Sequence, residues 1–140
     1  MYLLRVLSLV LLVVYTSADL TPADIMRFVT VRRQCEMSNP VDREVIERVR
    51  QAELVNDRNF DCYVSCILKG SNFMGADGSL NVPFALDKVP ENFPLHDALV
   101  DAINICGSRR GNDECSTAHE LFMCFHEQNI PNLLLGQFRG

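Results

Sequence analysis

From Thr21 onward, apolar residues recur every three or four positions, in runs of helical length bounded by Pro, Gly and Asn clusters. Thr21-Pro22-Ala23-Asp24 is a start signal: a hydroxyl cap, a proline at the first helical position and an acid in the first turn. Ile25, Phe28, Val29, Arg32 and Cys35 follow at helical spacing, and Ser38-Asn39-Pro40 stops the helix near Met37. A second helix is predicted over 42–54, with Val45, Ile46, Val49 and Ala52 on one face. A third covers 58–69, carrying Phe60, Tyr63, Val64, Ile67 and Leu68, with Asn56-Asp57 before it and Gly70 as terminator. Residues 70–81 break every period and predict a loop. A short helix or turn follows over 82–88. A fifth element spans 94–107, with Leu95, Ala98, Leu99, Ala102, Ile103 and Cys106 on one face, and a sixth spans 113–128, with Leu121, Phe122, Cys124 and Phe125 apolar. Pro131 is predicted to end that helix and leave a tail over 129–140. Strand signals are weak throughout. The pattern predicts an all-α bundle of about six helices.

The first residues carry a different pattern. Arg5 precedes an apolar run over 6–14 broken only by Ser8, and Tyr15-Thr16-Ser17-Ala18 follows. This is the charged, apolar, small-residue order of a secretory signal, with cleavage expected before Asp19. The run is too short for a membrane span, which needs about 20 apolar residues. The expected organisation is a signal peptide over 1–18 and one domain over 19–140, secreted and without a membrane span.

Removing residues 1–18 takes away one charge, Arg5, and leaves 12 basic against 18 acidic residues. An acidic chain with no basic cluster longer than Arg109-Arg110 argues against nucleic acid or an anionic membrane as partner. No Asn-x-Ser/Thr sequon is present, so N-glycosylation is not expected.

All six cysteines, Cys35, Cys62, Cys66, Cys106, Cys115 and Cys124, lie in the expected mature chain. An even count in a secreted chain reads as three disulfides. The gaps of 26, 3, 39, 8 and 8 residues contain no Cys-x2-Cys knuckle, so no metal site is expected. Cys62 and Cys66 share one helix face one turn apart. They are poorly placed to bond each other, so that helix is tied to two different partners. Cys115 and Cys124, nine apart on the last helix, also go to different partners. Spacing leaves the other connectivities open. Staples of this kind tolerate a hollow that close packing alone would collapse.

Six cysteines in an all-helical secreted chain, with three residues between the second and third and eight between the fifth and sixth, resemble the insect odorant-binding protein family, of pheromone and general odorant-binding type. Tyr63 directly after Cys62, the Gly75-Ala76-Asp77-Gly78 loop and the Leu86-Asp87-Lys88-Val89-Pro90 stretch add to the likeness. The resemblance implies pairing Cys35–Cys66, Cys62–Cys115 and Cys106–Cys124, which meets both helical constraints. It implies an apolar cavity between the helices, lined by Phe28, Val82, Leu86, Val89, Leu99, Ile103, Leu121, Phe122 and Phe125. The competing reading is that each of these is ordinary core. The resemblance also implies that the tail folds over the pocket, bringing Leu134 and Phe138 to it within reach of a hydrogen bond from Tyr63. The apolar tail residues would gain about 1.5–3 kcal/mol each on burial. Among the histidines, His126 near the start of the tail is the candidate pH switch, and acidification to about pH 5 is expected to weaken binding.

The function implied is an extracellular carrier. It would bind a volatile alcohol, aldehyde, ester, fatty acid or aromatic and deliver it through aqueous fluid, sensillar lymph or another secretion, to a sensory-neuron membrane receptor. A monomer or weak homodimer is expected. The alternatives are a non-olfactory carrier or scavenger of lipids or hormones on the same fold, and a protein-interaction module. Catalysis is not expected and no cofactor is implied. His96-Asp97 lacks the cysteine pattern and calcium loop of a secreted phospholipase, Asp77-Gly78 lacks the alternating acids of an EF-hand, and Ser116 with His119 lacks a third member or an oxyanion motif.

Overall fold

The computed structural model describes residues 1–15 and 21–139 of the chain; side chains are described for 1–9 and 21–137. Eight α-helices lie among these residues: α1 Tyr2–Tyr15, α2 Pro22–Ser38, α3 Arg43–Arg50, α4 Arg58–Gly70, α5 Val82–Asp87, α6 His96–Cys106, α7 Glu114–Glu127 and α8 Ile130–Arg139. Helix α1 falls within the expected signal, and the side chains of its residues up to Leu9 are exposed. The expected cleavage point, Ala18–Asp19, lies outside the described residues. No described helix is long and apolar enough to cross a membrane.

Local chemistry sets the helix starts. The Thr21 hydroxyl accepts from the Asp24 N–H at 3.1 Å, while the Thr21 N–H donates to Asp24 Oδ2 at 2.9 Å, closing a capping box. Asp57 accepts from the Phe60 N–H at 2.8 Å, and Asp113 from the Ser116 N–H at 2.8 Å. These two caps start α4 and α7, which pack closely on each other.

The bundle is organised around α4. Cys62–Cys115 ties it to α7, and Cys35–Cys66 ties it to α2. Cys106–Cys124 ties α6 to α7. Across α4 and α7, Phe60 meets Phe122 edge-to-face with ring centroids 5.4 Å apart. From opposite ends of α4, Arg58 pairs with Asp113 at 2.9 Å and Lys69 with Glu114 at 2.8 Å, both at the start of α7. Helix α2 approaches α4 closely at Gly70, where an added Cβ would stand 2.5 Å from Val31 Cγ1. The core gathers Met74, Leu80, Ala85, Val89, Ile103 and Leu121 around the buried Cys106–Cys124 bridge. Met74 and Leu80 come from the connection between α4 and α5, held there by an antiparallel bridge between these two residues.

Two predicted boundaries are corrected. Helix α3 ends at Arg50, not at residue 54, because Ala52 adopts the left-handed conformation at φ 60° and turns its N–H back onto the Val49 carbonyl. Pro131 does not end the last helix. The chain breaks at Asn129, φ 61°, and Pro131 then occupies the first turn of α8, where a missing N–H costs nothing. The expected tail is therefore a helix. It packs against α7 and α6, with Ile130 buried.

Candidate ligand-binding site

Two apolar clefts adjoin each other on one side of the core. The first, about 370 Å³, lies between α5 and α6 and is walled by Ala85, Val89, Pro90, Phe93, Leu99 and Ile103. The second, about 380 Å³, lies between α2 and α5, against Ile25, Phe28 and Phe84. Phe73 and Lys88 line both, so they form the partition between the two spaces. Phe73 is held edge-to-face on Phe84 at 5.2 Å, and its carbonyl accepts from the Asn81 N–H at 2.7 Å.

A third groove of about 700 Å³ runs between α2, α3 and α4 and joins the second cleft at Phe28. Its lining is mixed, with Arg32, Glu36, Arg43, Glu47 and Arg50 beside Val41, Ile46, Tyr63 and Ile67. Hydrogen bonding to Glu36, and then the charge of the same carboxylate, raises the Arg32 pKa above its ordinary value.

The expected pocket residues divide among these regions. Val89, Leu99 and Ile103 share the first cleft, and Phe28 stands where the second cleft meets the third groove. Leu121 belongs to the core cluster, Val82, Leu86 and Phe125 pack against it partly buried, and Phe122 meets Phe60. Tyr63 lines the third groove, whereas Leu134 lies with Leu135, Val49 and Ala52 in a shallow groove elsewhere. The Phe138 side chain lies outside the described residues. His126 brings Nε2 to 3.1 Å from the Ala52 carbonyl, so it tethers the turn after α3.

Sequence reasoning missed Phe73, Phe84, Phe93, Ser71 and Lys88. Phe73 sits in a polar loop without periodicity. Lys88 stands 64 positions from the Asp24 carboxylate it meets at 3.0 Å. The one available signal was the apolar content of a loop otherwise rich in Gly and Asn: Phe73, Met74 and Leu80.

A polar cavity of about 490 Å³ is lined by Asn56, Asp61, Ser116, His119 and Glu120. His119 Nδ1 lies 3.1 Å from Asp61 Oδ1, and burial pushes the Asp61 carboxyl above its ordinary pKa. The Ser116 hydroxyl accepts from Arg58 at 3.0 Å. That contact engages it with a cation rather than a base, which does not suit a nucleophile. No group of three metal-ligating side chains gathers among the described residues.

Stapled helices around paired apolar clefts define a protein that binds small hydrophobic molecules. Residues 17–128 match the PBP/GOBP family, and the chain belongs to it. It is 23% identical over 108 residues to general odorant-binding protein 69a of Drosophila melanogaster, covering 76% of this chain and 72% of that one. It is 27% identical over 104 residues to general odorant-binding protein 72 of Anopheles gambiae, covering 71% and 85%. Among solved structures it is similar to an odorant-binding protein of Locusta migratoria, with a TM-score of 0.69 at 23% identity, covering 86% of this chain and 94% of that one. Family and fold together are those of hydrophobic-ligand carriers rather than enzymes.

Proposed function

We propose that the chain, after loss of residues 1–18, is a secreted carrier. It takes one small apolar molecule of odorant or pheromone type into the clefts around Phe73 and delivers it through aqueous fluid to a membrane receptor. One observation carries this reading: two spaces with mainly apolar surface, about 380 and 370 Å³, share a single wall. Each is at the lower end of the range that holds drug-sized ligands, and together they hold a longer one. Transfer of a ligand's apolar surface from water into them supplies roughly 25 cal/mol per Å² removed from water.

The exposed Ile25, Met26 and Val29 on α2 support a rival reading, a protein-interaction module. One experiment separates the two. Disulfide-intact protein is made from residues 1–140 in a eukaryotic secretory host and titrated with the apolar fluorophore N-phenyl-1-naphthylamine. Alcohols, aldehydes, esters, acids and aromatics are then tested as competitors. The carrier reading expects saturable micromolar binding displaced by at least one chemical class. Absence of saturable binding refutes it and leaves the interaction module.

A further inference from the structure

The cleft beside α2 contains polar groups that a uniformly apolar guest would leave unmatched. Ser71, at the C-terminal cap of α4, lines this cleft and is 9% exposed. Its hydroxyl is buried without a hydrogen-bond partner in the protein. Such groups are rare in folded proteins, and a group from outside the chain is one way to complete the bonding. Lys88 lines the same cleft with its side chain 17% exposed. Its ammonium lies 5.4 Å from the centre of the Phe84 ring and 3.0 Å from Asp24 Oδ2. An ammonium carries three donors, and Asp24 engages one.

Charge points the same way. The ionised groups lining the cleft are Arg27, Lys88 and Asp24, which leave one net positive charge in an otherwise apolar space. Arg27 donates to the Gly70 carbonyl at 3.0 Å and to Asn72 Oδ1 at 3.4 Å, which ties its guanidinium to the end of α4. Both cations keep donors unused, and Lys88 is the one that stands on the wall between the two clefts.

We propose that this cleft is a head-group subsite selecting apolar ligands that end in a carboxylate. Lys88 acts as counter-ion, the Ser71 hydroxyl is a second donor, and the hydrocarbon tail extends past Phe73 into the cleft of Val89, Leu99 and Ile103. A carboxylate brings the lining to neutrality and accepts both donors. An alcohol or aldehyde of the same length does neither in full. The inference rests on the carrier reading and assigns its ligand class.

The test compares dodecanoate with dodecanol as competitors for bound N-phenyl-1-naphthylamine at about pH 7, where the acid is ionised. The acid is expected to displace the probe at about tenfold lower concentration, the scale of a charge-assisted contact at a partly buried site. Lys88→Gln brings the two competitors level by weakening the acid alone, and Lys88→Arg keeps the preference. Asp24→Asn, which removes the internal competitor for Lys88, widens the preference, and loss of fold cannot mimic that result. Equal displacement by acid and alcohol in the parent protein, or an unchanged preference in Lys88→Gln, overturns the subsite while leaving the carrier standing. Failure of the probe to bind saturably overturns both.

Discussion

Helices α2 and α7 are 17 and 14 residues long and each is anchored by cysteines, yet they bury themselves very differently. Helix α7 buries Thr117, Ala118, Leu121 and Cys124, and is bridged to α4 and α6. Helix α2 buries only Val31 and Cys35, and exposes Ile25, Met26, Phe28 and Val29. It is held by one disulfide, the close approach at Gly70 and the polar contacts of Arg27 and Asp24. Cohesion thus resides on the α7 side, and the second cleft opens on the α2 side. Elements with few buried contacts are the ones that open at low free-energy cost. The proposed ligand cleft lies on the side that packing has left incomplete.

The largest effect that sharpens this contrast comes from deleting the α2 staple. Cys35→Ala with Cys66→Ala opens a loop of 31 residues, which costs about 4 kcal/mol in the chain-entropy model. With so little else holding α2, probe binding is expected to vanish at lower urea than the helical signal does. Urea titration followed by both probe fluorescence and far-ultraviolet circular dichroism measures the two transitions. If they coincide in the double variant, α2 is as integrated as α7, and the contrast fails.

The next effect separates packing from binding at two positions. Leu121 is 3% exposed in the core, and Leu121→Ala is expected to cost about 3 kcal/mol. Phe28 is 44% exposed where a cleft meets a groove, and Phe28→Ala should cost less than about 1 kcal/mol. Probe affinity should fall more in Phe28→Ala than in Leu121→Ala when both are assayed in fully folded protein. Thermal unfolding and probe titration on the same samples decide it. The reverse ranking would place the ligand inside the α7 core.

These two positions also show what can be read without a structure. Leu121 and Phe28 carry the same signal in the sequence, an apolar residue at helical spacing, and both were expected to line the pocket. Periodicity reports which face of a helix is apolar, and it is silent on whether the facing element fills the space. Helix starts are legible because Thr21, Asp57 and Asp113 act on amides three residues away. The end of α3 is not, because alanine enters the left-handed region at Ala52 only under tertiary constraint. The buried Val55 and the contact of His126 with the Ala52 carbonyl supply that constraint. The α8 start depends on Asn129 at φ 61°, without which Pro131 reads as a stop. The partition between the clefts joins Phe73 from a polar loop to Lys88, whose partner Asp24 lies on another helix, and no local pattern encodes that meeting.

The smallest effect concerns Asp24, which belongs both to the capping box of α2 and to the cleft wall. The Thr21 amide, the Lys88 ammonium and the Thr21 hydroxyl, in that order, hold its carboxyl at about 2, below the ordinary 3.8. A folded-state value below the unfolded one means that Asp24 favours the folded chain above about pH 4, and that this contribution disappears as pH falls towards about 2. Asp113 is depressed in the same direction and further, chiefly by Arg58, so its hold on the start of α7 is also lost as pH falls. Asp61 opposes both. Burial raises its pKa, so its protonation favours the folded state below the ordinary value, and that contribution is lost as pH rises. Carboxyl carbon chemical shifts followed through an acid titration resolve these groups one by one. Asp24 should titrate well below Asp61, and Lys88→Gln should raise the Asp24 midpoint only part of the way, because the Thr21 amide is the stronger hold. An Asp24 midpoint near 3.8 in the parent protein would mean that neither the cap nor the ion pair persists in solution, and that α2 starts later and lies looser than its contacts with Lys88 and Gly70 imply.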